Sequence, residues 1–279
     1  MNIDQIKAII KNKVEGKIIA QHDDKGHHYL TGCKNGKPTK ASVLVDSVTT
    51  KIILEKPHLL PWGIKMAFEW MEDKWYKMDE TNREDFLKSA QQAPFDVRDD
   101  AGDTGTTAHN MIEHWVNQWI ANDSMPGDIA GLFADEKNYK AIAAARSAEA
   151  LFKKENVIPI ASELLVGSKK YNSAGTLDML VYNLDTNELE LWDWKSSNAV
   201  HDSYAIQVSA YKRFFEDMTK LKIAKCKIMH LSKSYDKCVV YRIPDDEVAF
   251  KAFVDISRVY DWTNNGRKKL EKDIKVITL

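Results

Sequence analysis

The chain has 279 residues, of which 44% are hydrophobic and 29% are charged, and its formal net charge is −1. This composition is typical of a folded globular protein and excludes a disordered chain. It also excludes a protein that coats nucleic acid through overall positive charge, so any basic surface must be local.

The three cysteines, Cys33, Cys226 and Cys238, are too few for a disulfide framework or a four-cysteine iron–sulfur cluster. Cys226 and Cys238 could face each other across neighbouring strands, but reduced core thiols are the more common arrangement.

The first residues predict neither export nor membrane insertion. Residues 1–16 alternate isoleucine with lysine and asparagine and lack the apolar segment of a signal peptide. No stretch approaches the roughly 20 apolar residues of a membrane span. We therefore expect a cytoplasmic protein with no membrane partner. Residues 1–45 predict an accessory N-terminal segment, a short helix followed by a loose hairpin, and 46–279 the main domain.

Helices are predicted before any strand of the main domain. The segment 61–78 has helical periodicity, and an apolar stripe follows one side of it: Trp62, Met66, Trp70 and Trp75. Such a stripe is usually part of a core. The alternative is a platform on which unpaired bases stack, with Lys65 on a phosphate. The segments 105–120 and 135–154 predict two more helices, the first with Thr104 or Thr106 as its N-cap.

The hydrophobic period then changes from helical to alternating. The predicted elements are strands at 158–167, 174–183 and 189–197, a helix at 203–218, strands at 226–232 and 237–243, and a helix at 245–262. This order predicts an α/β fold with a short mixed sheet flanked by helices and an N-terminal helical extension.

The second and third of these strands predict a hairpin with a defined register. A polar turn around Asp185 lies between them. If the hairpin is symmetric about this turn, Leu180 faces Leu191 and Asp178 faces Asp193. A slip of one residue would separate the two carboxylates, so the register is a testable prediction.

The same hairpin predicts a metal site. Asp193 and Lys195 share one face of their strand because side chains alternate. Two carboxylates at cross-strand distance repel each other unless a cation lies between them, and oxygen ligands suit Mg²⁺ or Mn²⁺. A neighbouring lysine can orient or deprotonate a water for attack on a phosphate. Surface charge is the alternative, but Asp193 interrupts an apolar strand, where an unpartnered carboxylate is costly.

Other polar side chains are weaker candidates when taken singly. Glu163 interrupts an apolar strand in the same way, although an edge-strand surface residue is equally consistent with the pattern. His109 and Glu113 lie at i, i+4 on one helix face, where a single histidine is usually structural. Gln207 and Tyr211 also lie at i, i+4, and a tyrosine in an amphipathic helix ordinarily packs in the core.

Together these elements resemble the PD-(D/E)xK nuclease superfamily, and more closely its RecB-like exonuclease branch. That branch carries G-x-x-x-H, a strand glutamate, G-x-x-D, (D/E)-x-K and Q-x-x-x-Y in order. This chain has GTTAH at 105–109, Glu163, GTLD at 175–178, DWK at 193–195 and QVSAY at 207–211. The resemblance covers about residues 98–215. The segment 47–62 is similar to the corresponding part of phage-encoded members.

The resemblance implies a role for each matching residue. The metal, Mg²⁺ or Mn²⁺, would be bound by His109, Asp178, Asp193 and the backbone carbonyl of Trp194. Lys195 would be the catalytic lysine, and Glu163 an auxiliary acid for a second metal or a water. The residues expected to contact DNA or support the site are Gln207, Tyr211 and Ser196, with Trp62, Lys65 and Arg98 at the entrance. Relatives with an iron–sulfur cluster have four cysteines, so this chain would be a cluster-free member.

The predicted function is metal-dependent hydrolysis of DNA from an end, in recombination, repair or replication. The expected substrate is single-stranded DNA or DNA with a free end, in the host cytoplasm if the chain is phage-encoded. The alternatives are a structure- or sequence-directed endonuclease and a DNA-binding module that has lost catalysis. Intact Asp178, Asp193 and Lys195 favour an active enzyme. Because the sequence shows no P-loop, unwinding of duplex would need a recombination or replication partner.

Overall fold

The computed structural model describes residues 1–23, 26–52, 59–234 and 237–266. The helices in these ranges are α1 (Ile3–Lys13), α2 (Val48–Lys51), α3 (Leu59–Lys74), α4 (Arg83–Asn122), α5 (Ile129–Leu132), α6 (Tyr139–Lys154), α7 (Asp202–Thr219) and α8 (Asp246–Asp261). The strands are β1 (Ile18–Asp23), β2 (Gly26–Thr31), β3 (Val43–Ser47), β4 (Val157–Ser168), β5 (Ser173–Asn183), β6 (Glu188–Lys195), β7 (Ile223–Leu231) and β8 (Cys238–Arg242). A 3₁₀ turn (Trp75–Lys77) follows α3, and a π-helical turn (Trp262–Gly266) follows α8.

The strands form one mixed sheet of eight strands in the order β1-β2-β3-β5-β6-β7-β8, with β4 paired to β5. The β3–β5 and β6–β7 pairs are parallel, whereas the other pairs are antiparallel. The α/β class is therefore confirmed. The elements predicted from residue 158 onward are all present, with ends that differ by at most three residues.

The β5–β6 hairpin has the predicted register. Leu180 lies opposite Leu191, and the same alignment continues toward Asp178 and Asp193 at the open end of the pair. The Asn183 side chain accepts hydrogen bonds from the backbone N–H groups of Asp185 and Thr186 in the turn, at 3.0 and 3.1 Å. A turn fixed in this way sets the register of the two strands.

Helices cover both faces of the sheet. On one face, α1, α7 and α8 pack on strand residues such as Leu191, with Phe214 at the centre of the cluster. On the other face, α4, α5 and α6 pack on Trp192, with Phe152 against its ring at 5.3 Å. Because alternate residues of β6 enter different cores, this strand is buried almost throughout, although half of its residues are charged.

The N-terminal part has the predicted short helix and hairpin, but the sheet is larger than predicted. After α1, the strands β1, β2 and β3 form an antiparallel meander, and β3 joins the main sheet where Asp46 and Ser47 pair with Ser173 and Ala174 of β5. The pairing of β3 with β5 was not predicted, because it joins segments that are far apart in the sequence. Of the segment 47–62, residues 53–58 lie outside the described residues.

The helices before the sheet also differ from expectation. The predicted helix at 105–120 is only the second half of α4, which has 40 residues and contains Pro94. Thr104 is therefore not an N-cap, and its buried hydroxyl receives a hydrogen bond from the Asn138 amide at 3.2 Å. Within the described part of the chain, no helix has the length and apolar character required to cross a membrane.

The core interpretation of the α3 stripe is wrong. None of the side chains of α3 is buried, and Trp75, just after the helix, is 58% exposed. Trp70 packs on Phe86 of α4 at 5.2 Å between ring centroids. The helical period correctly predicted the helix, but α3 packs mainly on the first half of α4 rather than on the sheet.

The three cysteines are free thiols. In the β7–β8 pair, Cys238 lies opposite Leu231, whereas the Cys226 carbonyl accepts the backbone N–H of Ile243 at 3.1 Å. The two cysteines are therefore at opposite ends of the strand pair. They do not face each other, because the antiparallel register places them far apart.

Candidate metal centre

Three adjacent strands bring three carboxylates to one place. Asp178 on β5 lies between Glu163 on β4 and Asp193 on β6. From α4, which crosses this end of the sheet, His109 places Nδ1 at 3.9 Å from Asp178 Oδ2. One ligand atom each from His109, Glu163 and Asp178 lies within 4.8 Å of the others. The structure thus brings together the predicted acids and the predicted histidine.

Asp193 is fully buried and faces a single ammonium group. Lys195 forms an ion pair with its Oδ2 atom, and neither Asp193 oxygen accepts a hydrogen bond of regular geometry from the described residues. Such a carboxylate retains unused acceptor capacity in a place where water is largely excluded.

Lys195 also has an aromatic neighbour that the sequence did not indicate. Its Nζ atom lies 5.0 Å from the centroid of the Tyr204 ring, and the Tyr204 hydroxyl donates to Ser197 Oγ at 3.1 Å. Tyr204 precedes Gln207 by one helical turn, and this spacing is the one sequence signal that could have indicated it.

Asp178 is held by the backbone of β6. The Trp194 N–H donates to Asp178 Oδ2 at 2.8 Å, which leaves Oδ1 for another partner. The Trp194 carbonyl, a predicted metal ligand, lies beside the His109 ring, where it favours the protonated ring. The backbone of Trp194 therefore contacts two of the predicted ligands.

Glu163 has an unusual backbone for a strand residue. Its φ is +49°, in the left-handed region that costs a non-glycine residue about 1 kcal/mol or more. It follows a register shift in the β4–β5 ladder between Pro159 and Ala161. This local conformation lets the carboxylate approach Asp178, and strain of this kind tends to occur at functional sites.

The electrostatics of the cluster show an excess of buried negative charge. Burial, followed by repulsion from Asp178 and Glu113, raises the pKa of Glu163 to about 8. Burial raises the pKa of Asp193 to about 6 even though Lys195 opposes the shift, and the pKa of Asp178 is raised by burial as well. Lys195 does not neutralise the group, so an additional cation would stabilise the ionised carboxylates.

The same surroundings shift the pKa values of the two basic groups of the centre, His109 and Lys195. Burial lowers the pKa of His109 to about 4, with a further contribution from Lys195, so its ring is neutral near pH 7 and has a lone pair for a metal. Burial lowers the pKa of Lys195, but Asp193 and Asp178 outweigh this effect and leave it above its usual value. Carboxylate oxygens with one neutral imidazole fit a divalent cation such as Mg²⁺ or Mn²⁺.

Gln207 and Tyr211 contact each other on α7, which packs on β5. The Gln207 amide donates to the Tyr211 hydroxyl at 3.2 Å, and Tyr211 is buried. A Cβ atom at Gly175 would lie 2.4 Å from Tyr211 Cε1, so only glycine allows this tyrosine to pack against β5. This burial favours the expected core packing of Tyr211 and a supporting role for the pair over DNA contact.

The predicted entrance residues line one cavity of about 870 Å³ that reaches the centre. Its lining includes Trp62, Lys65, Arg98 and Ser196, together with His109 and Lys195. Lys65 and Arg98 are partly neutralised, since they pair with Glu69 at 3.4 Å and Asp99 at 2.8 Å.

A second cavity, of about 340 Å³, is lined by Glu113 and Glu163. His109 and Gly105 line this cavity as well as the larger one. The candidate centre is therefore accessible from both an acidic side and a basic side.

Comparison with known proteins gives no family for the chain: no family model matches it, and the search of curated proteins finds no significant match. The assignment of a function rests on the geometry of the site.

Proposed function

We propose that this protein is a metal-dependent nuclease that hydrolyses phosphodiester bonds of DNA from an end. The observation that carries the proposal is the convergence of His109, Glu163, Asp178, Asp193 and Lys195 from four separate elements. Buried carboxylates that lack sufficient counter-charge reduce stability, so a structural role does not account for them.

The residues divide the chemistry between them. His109, Asp178 and Asp193 would hold Mg²⁺ or Mn²⁺, with Glu163 as a further ligand or as the partner of a water. The bound metal supplies Lewis-acid polarisation of the phosphate and of its water. Lys195 donates hydrogen bonds at the same place, so it can orient the attacking water or stabilise the charge of the pentavalent phosphorus.

The shape of the main cavity favours a single strand over continuous duplex. The helices α3 and α4 form one wall, with Trp62 and Arg98, and residues 195–199 form the other. A cleft lined by an aromatic side chain and cations suits stacked bases and a single phosphate backbone. A strand that enters such a cleft does so most readily from a free end, which supports exonuclease action over the endonuclease alternative.

The test is cleavage of a labelled DNA strand by the purified protein with Mg²⁺ or Mn²⁺, and with EDTA. We expect cleavage that requires the metal and that is lost in Lys195→Ala while the protein still binds DNA. Full activity in EDTA, or a Lys195→Ala rate equal to wild type, would refute the mechanism. Binding of DNA without any cleavage would instead favour the alternative of a module that has lost catalysis.

A further inference from the structure

Two clefts meet beside the candidate metal centre. The main cavity shares Ser197, Asn198 and Lys233 with another cavity of about 320 Å³, which is distinct from the acidic cavity described above. This 320 Å³ cavity continues along the β7–β8 edge, where it is lined by His230 and Lys237. The two form a continuous path from the metal centre to the edge of the sheet.

The described residues along this path carry a bias toward positive charge. The chain as a whole has 40 basic and 41 acidic residues. Among the described residues that line these two cavities, none is acidic. By contrast, four acidic residues line the cavity between α7 and α8, and two of them, Asp246 and Glu247, pair with Lys212 and Arg213. A cleft lined by cations without carboxylates concentrates a positive potential, which attracts a polyanion.

Lys233 is the cation at the junction of the two clefts. It is partly buried, and it forms no ion pair with a carboxylate of the described residues. Burial and the nearby Lys140 lower its pKa, and the Asp100 carboxylate that opposes this shift is bound by Lys140 at 3.3 Å. A partly desolvated ammonium without an ion-pair partner is stabilised by an anionic ligand.

The backbone beneath this junction is fixed. The His230 ring lies 2.6 Å from the carbonyl oxygen of Ser197, and this contact ties the segment after Lys195 to β7. The serine and asparagine side chains shared by the clefts add hydrogen-bonding groups along the same path. A preformed polar surface of this kind binds a phosphate backbone with little loss of conformational entropy.

We propose that Lys233 and Lys237 form a phosphate-binding subsite that holds the nucleic-acid strand on the basic side of the metal centre, along residues 197 and 198. This inference rests on the proposed nuclease function and specifies the direction in which the strand leaves the centre. The strand passes toward β8 and not through the cavity lined by Glu113 and Glu163.

The salt dependence of DNA binding tests the subsite. The probe is a fluorescein-labelled oligothymidylate of about 20 nucleotides, long enough to span several binding positions. Its anisotropy is followed at a series of NaCl concentrations with Ca²⁺, which supports binding while limiting cleavage. The test variant Lys233→Gln/Lys237→Gln is compared with Lys11→Gln/Lys13→Gln, which removes the same charge from two exposed lysines of α1.

We expect the test variant to reduce the slope of log K against log salt by about 1.4, since each phosphate contact to a single strand contributes about 0.7. The control should keep the wild-type slope. Lys233→Arg, which retains the charge, should bind more tightly than the test variant. Thermal unfolding of each variant reports whether the fold is preserved.

The failure of the subsite can be distinguished from the failure of the proposed function. If the test and control variants have the same slope, the subsite is refuted, while metal-dependent cleavage still stands or falls on its own assay. If the wild-type protein binds no oligonucleotide and cleaves none, both proposals are overturned.

Discussion

At the scale of single residues, we expect Asp193 to lower the stability of the metal-free protein and to contribute to cleavage. Its pKa of about 6, raised by burial, means that ionisation at pH 8 costs folding free energy in the metal-free protein. We expect Asp193→Asn to make the metal-free protein more stable at pH 8, because the amide has the same shape without the charge. Cleavage with Mn²⁺ should fall by at least about a hundredfold. Thermal unfolding in EDTA and single-turnover cleavage measure the two effects.

The matched control for this prediction is Asp217→Asn. Asp217 lies exposed on α7, so its substitution should change neither the unfolding temperature nor the cleavage rate. A less stable Asp193→Asn protein would mean that the ion pair with Lys195 outweighs the cost of burial.

The raised pKa of Glu163 predicts that the stability of the metal-free protein depends on pH. Its folded pKa of about 8 exceeds its ordinary value of 4.5, so between these values the native state binds more protons than the unfolded state. Its contribution to stability is therefore present at low pH and is lost as the pH rises toward 8. His109, with a pKa lowered from 6.5 to about 4, has the opposite slope, but only below pH 6.5.

In the metal-free protein, stability should thus decrease from pH 6.5 to about 8, and Glu163→Gln should reduce this decrease. Urea unfolding at a series of pH values in EDTA measures it. Saturating Mn²⁺ should raise the stability most at pH 8, where the bound ion compensates the carboxylates. Parallel pH profiles for wild type and Glu163→Gln would show that this carboxyl group does not titrate in the window.

At the scale of elements, the contact between β5 and α7 depends on Gly175. A Cβ atom there would lie 2.4 Å from Tyr211, a buried ring that cannot move freely. Gly175→Ala should destabilise the protein by about 1–3 kcal/mol through overpacking. Gly127→Ala is the control, since a Cβ at that position meets nothing within 4 Å. Equal stability of the two variants in urea unfolding would argue against the close contact.

The α3–α4 hairpin predicts a stacking contribution to DNA binding. Trp62 lines the main cavity, whereas Phe68 on the same helix is 58% exposed and does not line it. If a base stacks on Trp62, its replacement by alanine should weaken binding of a short single strand by about 5- to 150-fold, the equivalent of about 1–3 kcal/mol. Phe68→Ala should leave the affinity unchanged in the same anisotropy titration. Equal loss in both variants would point to a general effect on the hairpin.

At the scale of the whole molecule, the placement of the cavities predicts a requirement for a DNA end. The helices α3 and α4 border the main cavity on one side, and residues 195–199 border it on the other. We expect linear single-stranded DNA to be degraded with Mn²⁺, while covalently closed circles of the same mass survive. Gel electrophoresis of both substrates over time makes the comparison. Rapid loss of the closed circles would favour an endonuclease.

The sequence by itself determined much of the sheet and most of the candidate centre. The β5–β6 register followed from the polar turn around Asp185, because a hairpin symmetric about this turn pairs Leu180 with Leu191. The same register placed Asp178 near Asp193, and strand alternation placed Lys195 beside Asp193. These relations are local, which is why they could be inferred without the fold.

Only the tertiary structure decided the features that depend on distant segments. The left-handed backbone of Glu163, the position of the Tyr204 ring beside Lys195 and the pairing of β3 with β5 depend on how separate elements pack together. The incomplete burial of the α3 stripe has the same origin. Helical periodicity shows which side chains share a face, but burial depends on what packs against that face, and here it is chiefly α4.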